Sequence, residues 1–419
     1  MRMVTLATGA TWAIAGLSTA GVIARPMRWP EWIWAVAGAA LLIVLGLMPL
    51  GQAGQAVAKG GDVYLFLIGM MLLSETAREH GAFDWIAATA VNAAKGSRAR
   101  LFALVYATGV VVTTFMSNDA TAVVLTPAVF VAAKKAKADP LPLLFACALI
   151  ANAASFVLPI SNPANLVLYG GHMPPLGAWM AAFALPSIGS IVMTFLVLRT
   201  IERQRIAGGC ERDVARDPLT NGGKLAIAGI VLTALLLLTM SALDESLGLP
   251  TAIAGIATAV IVSLLAGRSP LTLARSVSWG VLPLVAGLFV LVEALDRTGV
   301  IAWVANGLRG MLADPTRAAA VSGTVLAFGS NLMNNLPAGL IASSAIAQAQ
   351  PPQIVTDALL IGVDLGPNLS VTGSLATILW LQAIRREGED VSFLAFLKIG
   401  AVAMPLALLA ALGMRLLIG

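Results

Sequence analysis

Phe115-Met-Ser-Asn-Asp-Ala-Thr121 and Asn331-Leu-Met-Asn-Asn-Leu-Pro337 are polar clusters set in otherwise lipid-soluble sequence, at matching places in the two halves of a 419-residue chain. Each sits between two short apolar runs, and each is followed by a long apolar segment broken by its own Pro, Asn and Gly residues. At membrane depth, polar backbone and side chains persist only where they line a cavity or a substrate path. The pairing marks a transporter.

The rest of the chain fits that frame. Hydrophobic residues make up 58% and charged residues 11%, against about 25% charged in soluble domains, so this is a polytopic membrane protein. The first apolar run, roughly Val4 to Ile23, has almost no basic residue ahead of it and a poor cleavage site after it, and is read as a retained helix. Two cysteines, Cys147 and Cys210, make neither a disulfide framework nor a thiolate metal cage. The net charge of +5 comes from basic residues scattered through loops, which topology explains better than nucleic acid. No cofactor and no metal site is expected.

Apolar spans are read at about 4–23, 32–50, 62–77, 141–170, 176–199, 225–243, 249–267, 278–293, 354–383 and 397–418, which gives ten crossings of an all-α protein. The stretches near 101–133 and 318–349, split by the polar clusters, are read as re-entrant hairpins, and 141–170 and 354–383 as broken helices. Ahead of each hairpin lies a shorter amphipathic piece, Asp84 to Ala94 and Ile301 to Leu312, whose Trp85 and Trp303 belong at headgroup level.

The halves repeat. His80-Gly81 matches Thr298-Gly299 at an offset of 218, Ser117-Asn118-Asp119 matches Met333-Asn334-Asn335 at 216, and Ser161 to Asn165 matches Gly373 to Thr377 at 212. The expected organisation is a first repeat over 1–199, a cytoplasmic linker over 200–224 and a second repeat over 225–419. Five crossings in each half is an odd number, so the second copy sits inverted relative to the first. With both termini outside an inner (plasma) membrane, 20 of the 26 basic residues fall on the cytoplasmic side. The two hairpins then open to opposite sides, and their tips approach each other near the midplane.

Burying a carboxylate at bilayer depth costs at least about 2.5 kcal/mol, so Asp119 in the first hairpin and Asp364 in the second broken helix are the proton-coupling candidates. The structural alternative is a carboxylate that caps free amides at the break. Around them Ser117, Asn118, Thr121, Asn162, Asn165, Asn334, Asn335, Thr372 and Ser374 supply donors and acceptors for substrate. Amides and hydroxyls suit a neutral polyhydroxyl solute, a hydrated anion or a cation equally well. Glu75 and Glu293 are repeat mates with an Arg nearby and are read as structural ion pairs, while His80 and His172 are read as surface residues.

Phe115 to Pro127, Ile160-Ser-Asn-Pro-Ala-Asn-Leu166, Asn334-Asn-Leu-Pro337 and above all Gly362-Val-Asp-Leu-Gly-Pro-Asn-Leu-Ser-Val-Thr-Gly-Ser-Leu-Ala-Thr-Ile-Leu-Trp380 resemble the ArsB-type arsenite efflux permeases over nearly the whole chain. The wider ion transporter superfamily shares the hairpin and broken-helix plan. The resemblance implies secondary extrusion of arsenite, and of antimonite, with inward proton movement or with a partner ATPase. By analogy with wider relatives, it also implies a homodimer. Gly222-Gly223-Lys224-Leu225 lacks the spacing and the Ser or Thr of a phosphate-binding loop, so the chain's own energy source is a gradient. The basic loop from Thr200 to Lys224 is the docking candidate for an ATPase, with a solvated linker as the plainer reading. Two cysteines cannot supply three thiolates to arsenic, so recognition falls to hydroxyls and amides acting on the uncharged hydroxide. The nearest rival is a sodium/proton antiporter of the same superfamily. A dicarboxylate carrier lacks a neutralising Arg or Lys at the site, and an intramembrane enzyme lacks its motifs.

Overall fold

The computed structural model describes residues 6–170 and 173–419, with the side chain of Arg28 left aside. His172, read above as a surface residue, lies outside the described residues.

Apolar residues, many helices starting at Pro or Ser, give twenty α-helices among the described residues, ten in each half. The first half runs α1 (Leu6–Ala24), α2 (Glu31–Val44), α3 (Leu50–Lys59), α4 (Gly61–Glu79), α5 (Ala82–Ala93), α6 (Arg98–Phe115), α7 (Thr126–Lys135), α8 (Leu141–Ala153), α9 (Pro163–Tyr169) and α10 (Leu176–Ile201). The second runs α11 (Asn221–Ala242), α12 (Gly248–Leu265), α13 (Pro270–Ser276), α14 (Val281–Arg297), α15 (Val300–Arg309), α16 (Pro315–Met333), α17 (Asn335–Ala349), α18 (Gln353–Leu365), α19 (Leu375–Arg386) and α20 (Phe393–Leu417). The two series correspond member by member: two helices, a bent pair, a short helix, a hairpin, a broken pair and a long helix.

Among the described residues six helices, α1, α6, α10, α11, α12 and α20, are long and apolar enough to cross a membrane. The pairs α3–α4 and α13–α14, bent by 51° and 49°, raise the number to eight. The other expected crossings fall on shorter pieces. Helix α2 has 14 residues, or about 21 Å at 1.5 Å per residue, and the broken pairs α8–α9 and α18–α19 span only when taken together. Helix α6 was expected as a hairpin arm and is long enough by itself, yet the chain turns back at its end. Arg98, at the start of α6, donates to the carbonyl of Lys137 just past α7 at 3.2 Å, so both arms begin and end on one side. Arg309, just ahead of α16, donates likewise to the carbonyl of Gln348 at the end of α17.

Close backbone contact holds the helices where lipid offers no hydrophobic drive. A Cβ on Gly69 of α4 would lie 2.1 Å from the Thr251 carbonyl oxygen of α12, and one on Gly362 of α18 would lie 2.3 Å from the Gly323 oxygen of α16. Only glycine permits either crossing.

The segment between α10 and α11 is not a free solvated linker. Cys210 N donates to Gly96 O at 2.9 Å, Arg98 N to Gly208 O at 3.3 Å and Glu211 N to Ala136 O at 2.8 Å, so the chain is stapled across the open end of the first hairpin. Asn92 of α5 clasps Val214 through both its amide groups, at 3.1 and 2.9 Å. Arg216 stacks over Trp85, 5.3 Å from the ring centre. Its repeat mate Trp303 is 76% exposed, as an interfacial residue should be. His80 differs from expectation. It is buried, with Nε2 unpartnered among the described residues, because Gly222 and Thr220 of the strap press on it. The glycines before Lys224 serve this contact.

Candidate functional site

Prolines and extended residues interrupt α8–α9 and α18–α19, and the interruptions meet at the centre. Asn162 has φ −152° and ψ 132°, caps α9 by accepting from Ala164 N, and so aims its Nδ2 across the molecule. There it donates to Asp364 Oδ1 at 2.8 Å. Asp364 is fully buried, and its Oδ2 has no partner among the described residues. A buried carboxyl with one bond is under-satisfied, so Oδ2 is open to a proton, an ion or a solute hydroxyl.

The offset that relates Ser161 to Gly373 also relates Asp364 to Asn152 and Asn162 to Ser374. The mirror contact is present. Ser374 Oγ donates to Asn152 Oδ1 at 3.3 Å, and Asn152 Nδ2 donates to Asn368 Oδ1 at 3.0 Å. One half-site is acidic and its mate is neutral. The hairpin tips repeat the exchange, with Asp119 in one and Asn335 in the other.

Asp119 takes no hydrogen bond from a described residue and lines a cavity of about 570 Å³ with Ser117, Ser74, Glu75, Ser276 and Gln382. Asn118 Oδ1 accepts from Asp119 N, which leaves its Nδ2 free, and Ser117 Oγ accepts from Ala120 N. Asn335 is buried with no side-chain bond to a described residue, whereas Asn334, at φ 76°, caps α17 through Leu336 N. A mirror cavity of about 470 Å³ approaches from the other side but stops at Leu166, Val167 and Leu340, short of the tips.

The remaining candidates hold the scaffold. Thr121 is turned inward to Thr113 at 2.8 Å. Asn165 Nδ2 gathers the carbonyls of Ser155, Leu158 and Pro159, fixing the break, although its Oδ1 is buried without a partner. Thr372 ties to the Asn331 carbonyl at 3.1 Å, as Ser161 does to Thr114 at 3.0 Å, so each break is sewn to a hairpin tip. Ser374 caps α19 besides meeting Asn152. Glu75 pairs with Arg78, as expected. Glu293 instead pairs with Lys59 at 2.6 Å, because the bend at α3–α4 brings that lysine closer than Arg297.

Sequence reasoning missed Asn152, and the internal offset that pairs it with Asp364 was the signal that could have found it. It also missed Asp357, fully buried on α18, whose Oδ2 accepts from Arg415 Nε and Nη2 at 2.9 and 2.7 Å and whose Oδ1 accepts from Tyr169 and Gln353. Among the described residues no group of three metal-ligating side chains is present.

Comparison with known proteins agrees with this geometry. The solved Alcanivorax borkumensis YdaH transporter superposes with a TM-score of 0.58 at 16% identity, covering 92% of this chain and 96% of its own. The Neisseria gonorrhoeae efflux pump MtrF gives 0.53 at 13% identity over 90% and 84%. These likenesses establish the fold. An Escherichia coli arsenical pump membrane protein is 27% identical over 91% of this chain and 93% of its own, and a Bacillus subtilis putative arsenical pump membrane protein is 27% identical over 92% and 94%. The CitMHS family, described as citrate transporter, matches residues 19–365. This chain is a membrane transporter, not an enzyme, and it belongs to the CitMHS family of the ion transporter superfamily.

Proposed function

We propose that this protein exports arsenite, and antimonite with it, from the cytoplasm as uncharged hydroxides in exchange for protons. The observation that carries the reading is the bond from Asn162 to Asp364, with Asp364 Oδ2 left open beside a neutral mirror of amides and hydroxyls. A trihydroxide offers O–H donors to a carboxylate and acceptors to amide N–H groups, so its chemistry matches these buried groups once the centre opens to admit it. Relatives named as arsenical pump membrane proteins support the substrate class.

A citrate-like anion fits this centre less well. Asp119 and Asp364 would repel it, and of the two arginines that line the vestibule Arg78 is already paired with Glu75, while Arg386 is an exposed residue. In the proposed cycle, 1–199 and 225–419 are the repeats, and the hairpins and broken helices form the transport region. With both termini outside, the 570 Å³ cavity faces the cytoplasm. A solute entering it meets Asp119 and Ser117, while Asp364 lies buried behind them and is reached only when the centre opens.

The test is arsenite uptake into everted vesicles energised by a respiratory proton gradient without sodium. Uptake that a protonophore abolishes, and that Asp364→Asn or Asp119→Asn loses at normal expression, supports the reading. Full uptake in both variants would remove the proton role. Sodium-dependent proton release without arsenite uptake would move the protein to the antiporters.

A further inference from the structure

A third cavity, of about 690 Å³, lies away from the central site between the first turn of α10 and the last turn of α20. Helix α10 has 26 residues, or about 39 Å of helix against a hydrocarbon core of about 30 Å, so its ends stand at headgroup level. Its start is a Pro174-Pro175 pair. Pro175 gives no side-chain cap, and the first main-chain bond closing the turn is Trp179 N to Pro175 O at 2.9 Å. The amides of the first turn, next to the cavity-lining Ala178, therefore form an uncapped positive end.

A second observation is independent of that helix end. Arg415 is 5% exposed and lines the same cavity, and while Nε and Nη2 are spent on Asp357, Nη1 is buried with no partner among the described residues. A buried guanidinium N–H is costly to leave unmade and is strongest when bonded to an oxyanion. The far wall carries Asp244, an exposed carboxylate with no ion pair to a described residue. Ile418, 41% exposed, lines the cavity, and its neighbour Leu417 and Met180 in the first turns of α10 are exposed apolar side chains at 84 and 38%, as at a lipid-facing rim.

We propose that this cavity binds the headgroup of a zwitterionic aminophospholipid. The phosphodiester sits between the α10 amides and Arg415 Nη1, and the ammonium faces Asp244. Helix N-terminus and guanidinium together form a phosphate site of ordinary chemistry. A free phosphate would satisfy the same donors but leave Asp244 opposed to its charge and the apolar rim unused. The site is remote from Asp364 and does not depend on the substrate assigned above.

The experiment is native mass spectrometry of the detergent-purified protein, titrated with phosphatidylethanolamine, phosphatidylglycerol or inorganic phosphate. Wild type should retain phosphatidylethanolamine at least tenfold more tightly than phosphatidylglycerol. Ala178→Asp should weaken retention about tenfold, since a carboxylate in the first turn suits the helix but occupies and repels at the phosphate position, and the protein stays folded. Asp244→Asn should erase the preference between the two lipids. Equal retention by wild type and Ala178→Asp would overturn the proposal, and so would displacement of the lipid by millimolar inorganic phosphate.

Discussion

Asn162 Nδ2 donates to Asp364 Oδ1 across 2.8 Å, and this bond ties the break of the first half directly to that of the second. Its partners come from positions 202 residues apart in sequence, so neither break is complete without the other.

Replacing Asn162 by Ala removes the donor to a buried carboxylate and the cap of α9. The expected loss is about 1–3 kcal/mol for the first and about 1 kcal/mol for the second. Thermal unfolding in detergent should show a lower midpoint for Asn162→Ala. Asp364→Asn keeps the shape, and it should leave the midpoint nearly unchanged while abolishing gradient-driven transport. A transport-competent Asp364→Asn protein would contradict this division of roles.

The pair Asp357 and Arg415 is buried on both sides, at 0 and 6% side-chain exposure. Arg415→Ala should destabilise by about 3–5 kcal/mol, because it strands an unpaired carboxylate. The double variant Asp357→Asn with Arg415→Gln should recover much of that. A thermodynamic cycle on the four proteins checks it, and additive losses would mean that the two groups do not act as a pair.

The close approach of α16 and α18 forecasts an intolerance that hydropathy alone would not. Gly362→Val should fail to accumulate in the membrane, since its Cβ begins 2.3 Å from the Gly323 oxygen. Gly307→Val on α15, where a Cβ meets nothing within 4 Å, should accumulate normally. Fluorescence size-exclusion of tagged proteins distinguishes them.

The strap offers a pH-dependent handle. Lys137 Nζ contacts Glu211 Oε1 at 2.8 Å, and each shifts the other: the Glu211 carboxyl is held below its usual value and the Lys137 ammonium above it, mainly through their hydrogen bond. The Glu211 contribution is complete above the ordinary carboxylate value and disappears as pH falls through its lowered one. The Lys137 contribution is complete below the ordinary ammonium value and disappears as pH rises through its raised one. The pin therefore holds through the neutral range and releases in acid or strong base, by a small and salt-screened amount, because both groups are exposed. Hydrogen exchange at Cys210 and Glu211, taken as the ratio of Lys137→Gln to wild type at each pH, should fall to unity in acid. A flat ratio would exclude the ion pair as the pin.

Much of this was legible in the chain. Apolar runs, the Pro and Asn residues of 158–166 and 364–374, and the internal offset predicted hairpins and breaks within a few residues of where they lie. Less visible was which polar side chains face the cavity. Thr121 and Thr372 share the chemistry of Ser117, yet they turn inward onto Thr113 and Asn331, because a pattern of residue types does not state the rotation of a side chain at a break. The role of Asn152 was hidden in an apolar helix, signalled only by the offset that pairs it with Asp364, and its contact with Ser374 makes it plain. The strap was harder to read because the bonds that seat 208–211 on the hairpin run from main chain to main chain, and these leave no trace in residue type.

Two copies of one ancestral segment, set head to tail, would look alike from either face of the membrane. Here the acids are divided: Asp119 stands opposite Asn335, and Asp364 opposite Asn152. Turning the molecule over exchanges each of these two carboxylates with an amide, so the electrical pattern of its centre no longer maps onto itself. Divergence at only two positions is enough to give a duplicated, shape-symmetric machine a front and a back.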